Sequence, residues 1–255
     1  MIGLAFSFFV TALIYSLAGF GGGSTYNALL VLADVDYRAI PILALCCNIV
    51  VVTLGSWRFA SAGHIDWRRI WPLVILSVPL AWLGGRIEMD EMMFIGLLAL
   101  SLLVSGLLML MQPHWRREGD TLRRGRWLEP VAGGALGFLA GVVGIGGGIF
   151  LAPVLYMLRW GNERAIAGTC AFFILVNSVA GLAGQLSKDN ARVGTALVDH
   201  WPLFPAVLAG GMIGSLLGSR RLNPKYVRTV TAVLVLYVAV RLGLRFYDEA
   251  FAARQ

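Results

Sequence analysis

The chain has 255 residues, of which 58% are hydrophobic and 14% charged, with a formal net charge of +7. An ordinary soluble domain carries about 25% charged residues, so a water-soluble fold has no use for this much apolar surface, whereas lipid does. The basic excess lies between apolar stretches, where Lys and Arg mark cytoplasmic loops, and no nucleic-acid-binding motif accompanies it.

The first charged residue is Asp34. No basic segment precedes the long uncharged opening, which reads as a retained membrane segment rather than a cleaved leader. Eight apolar stretches follow one another, at about 2–33, 39–60, 70–86, 92–112, 128–158, 165–186, 200–219 and 226–246. Their continuous apolar length, with charged junctions between them, predicts an all-α polytopic membrane protein of eight to ten helices. A hydrophilic stretch around Arg116, Arg117, Arg123, Arg124 and Arg126 divides the chain. It gives a first transmembrane repeat over 1–113, a cytoplasmic basic linker over 114–127 and a second repeat over 128–255.

Five matches in the same order suggest that the halves are copies. Gly19-Phe20-Gly21-Gly22-Gly23 pairs with Gly144-Ile145-Gly146-Gly147-Gly148, and Arg38-Ala39-Ile40 with Arg164-Ala165-Ile166. Asn48, ahead of Gly55, pairs with Asn177, ahead of Gly184. Asp66 and Pro72 pair with Asp199 and Pro202, and Leu83-Gly84-Gly85-Arg86 with Leu217-Gly218-Ser219-Arg220. Duplicated halves with a site between them are a common transporter design.

The first stretch of each half is too long for one straight crossing. About 32 residues at 1.5 Å each reach roughly 48 Å, against a hydrocarbon core of about 30 Å. Consecutive glycines weaken a helix, so each stretch reads as a helix, a glycine break and a short helix, at 24–33 and 149–158. A break crossed straight through gives parallel halves with cytoplasmic termini. A break that folds back gives inverted halves with external termini. The 21 Lys and Arg do not decide, since the straight reading puts 13 of them inside and the folded-back reading 14.

The breaks are also where chemistry is expected. Irregular backbone at membrane depth is tolerated only where it is buried or lines a watery cavity. A helix restarting there offers free N–H groups and the positive end of its dipole, which is an arrangement for binding anions. The candidate ligands are the backbone of Gly21, Gly22, Gly23, Gly146, Gly147 and Gly148, with Ser24, Thr25 and Asn27 as side-chain donors. The competing reading gives the glycines to close helix packing, and Ser24 and Thr25 to their own helix backbone. Asn48 and Asn177, inside apolar helices, either touch substrate or hydrogen-bond between helices. Thr169 and Cys170 share a helix with Asn177 and could line the same cavity, with Thr169 a candidate substrate contact, and Cys46 and Cys47 could do so beside Asn48; plain packing is the preferred reading for these four. Three cysteines without a paired spacing give neither a disulfide frame nor a zinc site. No metal and no cofactor is expected. No buried carboxylate suggests a proton relay, and Arg58, Arg86, Arg164 and Arg220 fall at segment ends, where they snorkel to headgroups. HExxH, GxSxG and a phosphate-loop lysine are all missing, so an enzyme is not expected.

The run Leu139-Ala140-Gly141-Val142-Val143-Gly144-Ile145-Gly146-Gly147-Gly148-Ile149-Phe150-Leu151-Ala152-Pro153-Val154-Leu155 resembles the sulfite exporter TauE/SafE family. So do Ala18-Gly19-Phe20-Gly21-Gly22-Gly23, Arg164-Ala165-Ile166-Ala167-Gly168-Thr169 and Gly214-Ser215-Leu216-Leu217-Gly218-Ser219-Arg220. The first half departs from the pattern, with Asn27-Ala28 where the second has Ala152-Pro153. The resemblance implies a multi-pass carrier of small anions in the bacterial cytoplasmic (inner) membrane, with sulfite, sulfoacetate and related organosulfur anions as its substrate class. The expected function is secondary transport by alternating access. Its partners are the anion and the lipid bilayer, with proton or ion coupling and a homo-oligomer compatible with the sequence and no nucleic acid. A passive anion channel, or a carrier or enzyme acting on a lipid phosphate, is the alternative.

Overall fold

A computed structural model describes residues 1–17, 19–111, 128–158, 160–188, 193–218 and 224–252. Among them every regular element is a helix: α1 (Ile2–Leu17), α2 (Gly23–Leu32), α3 (Ile40–Ser61), α4 (Trp67–Arg86), α5 (Glu91–Met111), α6 (Leu128–Val143), α7 (Gly148–Met157), α8 (Glu163–Leu186), α9 (Val193–Asp199), α10 (Leu203–Gly218) and α11 (Pro224–Ala252). The basic linker and Arg220 lie outside the described residues. The seven-residue α9 was not expected from the sequence. It is too short to leave an apolar period that can be read.

Local chemistry sets several helix ends. Asp66 caps α4 by accepting from the Arg68 N–H, and Asn162 caps α8 by accepting from the Ala165 N–H at 2.8 Å. Pro41 sits in the first turn of α3, where its missing N–H costs nothing. Among the described residues four helices are long and apolar enough to cross a bilayer, within Ile40–Ser61, Glu91–Met111, Glu163–Leu186 and Thr229–Tyr247. Shorter apolar helices accompany them. Ile75, Val131, Leu100 and Val233 are exposed on the outside of the bundle, and Trp57, Trp71 and Trp201 are exposed near its ends. This is the surface a protein offers to lipid tails and headgroups.

Polar contacts mark the two ends of the bundle. At one end Arg245 on α11 donates to the Val31 carbonyl and pairs with Asp34 at 3.0 Å, and it lies 3.9 Å from Glu91 at the start of α5. At the other end Arg69, at the start of α4, donates to the Trp160 carbonyl and stacks on the Trp160 ring at 4.4 Å. Arg58 reaches Ser215 there at 2.6 Å.

Helix packing relies on glycine. Gly133, Gly137 and Gly141 of α6 lie against the Leu73, Ser77 and Ala81 carbonyls of α4, so the two helices run parallel and backbone to backbone. Gly210 and Gly214 of α10 lie in the same way against the Phe9 and Leu13 carbonyls of α1. α3 and α8 cross at the centre, α5 packs on α11, and α4 and α10 flank α8 and α3 respectively. These contacts fix directions. α1 runs from the Arg245 end towards the middle, and α2 returns to that end, where Val31 and Asp34 meet Arg245. α6 enters from the Arg69 end, and α7 returns to it, where Trp160 meets Arg69.

Candidate functional site

The two breaks meet at Asn48. At 1.5 Å per residue this side chain stands about 12 Å from the start of α3 and about 20 Å from its end, close to mid-depth. Its Nδ2 donates to the Ile145 carbonyl at 3.0 Å. The same amide is packed against Gly21 and Gly23 on one side and Gly146 on the other, where a methyl group would come within 3.0 Å of Nδ2. A methyl group on Gly23 would also lie 2.8 Å from the Ile145 oxygen. The close approach of the two breaks therefore requires glycine on both sides of one amide.

Each short helix starts from a left-handed residue. Gly22 has φ +91° and Gly147 φ +80°, and they stand immediately before α2 and α7. An L side chain is strained there. Thr25 and Tyr26 donate their N–H groups to the Gly22 carbonyl, and Phe150 and Leu151 donate to Gly147. The N–H groups of Gly23 and Ser24, and of Gly148 and Ile149, have no carbonyl a turn behind them. Both helix starts thus present unpaired donors at the place where the breaks touch.

The polar side chains divide by task. Asn27 donates from Nδ2 to the Val143 carbonyl at 2.7 Å, tying α2 to the last residue of α6. Ser24 and Thr25 are held by Tyr15, whose hydroxyl lies 2.7 Å from Thr25 Oγ1 and 3.3 Å from Ser24 Oγ. Asn177 donates to the Phe173 carbonyl of its own helix at 2.8 Å. Thr169 is buried two turns earlier on α8, one turn before Phe173, whose ring packs on Gly147. Cys47 and Cys170 are buried and free. All of these side chains are shut off from solvent, and Asn27, Asn48 and Asn177 are 0% exposed.

Three residues near the breaks carry no signal that the sequence reading used. Tyr26 stacks on Phe8 at 4.7 Å and brings its hydroxyl against Gly22. Ser178 brings Oγ against Gly146, and Tyr15 holds Ser24 and Thr25. An aromatic or a serine in an apolar run reads as packing unless its neighbours are known. Away from the breaks, a cavity of about 370 Å³ opens at the Arg245 end. Asp34, Asp36 and Glu91 outnumber its one guanidinium, which makes it a poor place for an anion.

The chain matches the family model "Sulfite exporter TauE/SafE" over residues 4–242. It belongs to the sulfite exporter TauE/SafE family. A protein of Sinorhizobium fredii named "Probable membrane transporter protein" is 36% identical over 245 residues, covering 94% of this chain and 97% of its own. A protein of the same description from Methanocaldococcus jannaschii is 25% identical, covering 89% of each chain. A sulfite exporter TauE/SafE family protein of Arabidopsis thaliana is 33% identical over 94 residues, 37% of this chain and 20% of its own. No solved structure matches the chain. As a member of this family the chain is a multi-pass membrane transporter protein, and both glycine breaks fall inside the matched region.

Proposed function

We propose that the protein is a secondary transporter that exports small anions, sulfite and related organosulfur anions among them, across a bacterial inner membrane. One observation carries this reading: two helix starts with unpaired N–H groups face each other at mid-depth, across Asn48, in surroundings closed to solvent. Opposed helix N-termini hold negative charge without any cationic side chain. Gly21 to Thr25 and Gly146 to Gly148 line the anion, Asn48 and Asn27 keep the two breaks in contact, and Asn177 and Thr169 close the α8 side.

The same proposal makes the halves inverted copies. The exchange α1/α6, α2/α7, α3/α8, α4/α10 and α5/α11 carries the observed packing pairs into one another: α4 with α6 becomes α10 with α1, and α4 with α8 becomes α10 with α3. Each first segment is then a hairpin that enters and leaves on one side, with the hairpins entering from opposite sides. α5 ends and α6 begins at the Arg69 end, and the Arg-rich stretch between them in sequence makes that end cytoplasmic by the positive-inside rule. Rocking of one half against the other would open the breaks to each side in turn.

The test is flux of labelled sulfite into proteoliposomes. Gly22→Val and Gly147→Val each force a β-branched residue into a left-handed backbone, at a cost of about 1–3 kcal/mol, and fill the space at the helix start. Saturable flux in the parent, with at least tenfold lower flux in both variants at unchanged expression, is the expected outcome. Full activity in both variants would remove the breaks from the pathway. Unsaturable, ohmic flux would replace the carrier by a channel.

A further inference from the structure

Seven buried side-chain polar atoms lack a partner among the described residues, and five of them surround the two breaks: Tyr26 OH, Ser178 Oγ, and the Oδ1 atoms of Asn27, Asn48 and Asn177. Buried polar groups are almost always paired, and a cluster of exceptions calls for an explanation. The three amide oxygens are informative because their orientation is forced. Each Nδ2 faces a main-chain carbonyl, of Val143, Ile145 and Phe173, and a carbonyl can only accept. Turning any amide over would set oxygen against oxygen. Three acceptors are therefore left facing groups that give them nothing, at the same place where two helix starts offer donors to negative charge.

We infer that the site takes an anion that carries its own hydrogen-bond donor. This rests on the breaks being the anion site, and it adds the ionic form of the ligand. A fully deprotonated oxyanion would satisfy the N–H groups of Gly23, Ser24, Gly148 and Ile149 but would repel the three amide oxygens. An oxyanion that keeps one proton satisfies both sets, and so does a sulfonate bearing an ammonium group. The hydroxyls of Tyr26 and Ser178 can give or accept and suit either ligand. The titratable side chains on the segments around the breaks are Tyr15, Tyr26, Cys46, Cys47, Tyr156 and Cys170; no Asp, Glu, His, Lys or Arg occurs on 2–33, 40–57, 130–158 or 165–187. A proton that crosses with the substrate therefore rides on the substrate.

Equilibrium binding of labelled sulfite to the purified full chain in detergent tests this. As pH rises through the second ionisation of sulfite, the apparent Kd for total sulfite should weaken by about tenfold per pH unit, while the Kd reckoned on hydrogen sulfite stays constant. Sulfate, which has no donor at neutral pH, should displace at least tenfold more weakly than unlabelled sulfite. Displacement by taurine would assign the donor role to an ammonium group as well. Asn177→Leu removes one acceptor whose amide bonds only its own helix; it should weaken hydrogen sulfite binding about tenfold and leave that of sulfate within twofold. Sulfite binding that is flat with pH, together with sulfate competing on equal terms, overturns the inference and leaves the anion site standing. Failure of the folded protein to bind any of these anions overturns both.

Discussion

Asn48 gives a hydrogen bond sideways to Ile145 while its own helix ladder stays intact. Loss of that donor leaves a buried carbonyl unpaired, at about 1–3 kcal/mol. Asn48→Leu should therefore lower the melting temperature of the detergent-solubilised protein and reduce flux. Asn177→Leu, whose amide serves only its own helix, should change the melting temperature much less. Equal losses in the two variants would deny Asn48 its bridging task. A lone Asn in an apolar run was legible as a residue that needs a partner. The partner was not, because Ile145 is 97 positions away and a main-chain carbonyl has no side chain to announce it. Tyr26 and Ser178 escaped for a related reason, since what sets them apart is an unpaired hydroxyl and not their residue type.

Glycine does two different jobs at the level of the helix, and spacing separates them. Gly133, Gly137 and Gly141 recur every fourth residue and stay inside one face of α6, where they admit the α4 backbone. Gly144, Gly146 and Gly147 are crowded together, have positive φ, and end the helix. Gly137→Leu would drive a side chain into the Ser77 carbonyl and push α6 off α4. The expected result is a melting temperature lower by several degrees and poor recovery from the membrane. A stable Gly137→Leu protein would mean that the two helices are held by other contacts. The breaks themselves were legible from overlong apolar segments, and α2 and α7 begin and end within a residue of the expected 24–33 and 149–158. The direction in which the chain leaves each break was not legible. Both directions preserve the same hydropathy, and only contacts such as Arg245 with Val31 and Arg69 with Trp160 distinguish them.

The whole molecule carries the consequence of those directions. On the proposed inverted arrangement, the start of α1 and the end of α11 fall on the side opposite the end of α5 and the start of α6. Single cysteines in place of Gln255 and of Arg117, in a background lacking Cys46, Cys47 and Cys170, should react with an impermeant thiol reagent from opposite faces of the membrane, Gln255 from outside the cell. Labelling of both from one face would restore the straight-through reading. Five ordered matches suggest a duplication, but a membrane sequence tolerates parallel and inverted copies alike. The one-residue difference in the Lys and Arg tally was too small to choose between them.

The spans that enclose the breaks, 2–33, 40–57, 130–158 and 165–187, contain no Asp, Glu, His, Lys or Arg. On the proposed pathway an anion would move against no compensating protein charge, so a turnover that carries it alone would displace one elementary charge. At about 2.3 kcal/mol per 100 mV, a membrane potential negative inside pushes such a ligand outward without any second ion. Export would then draw on the voltage alone, and proteoliposomes clamped at opposite potentials should show flux that changes sign with the field.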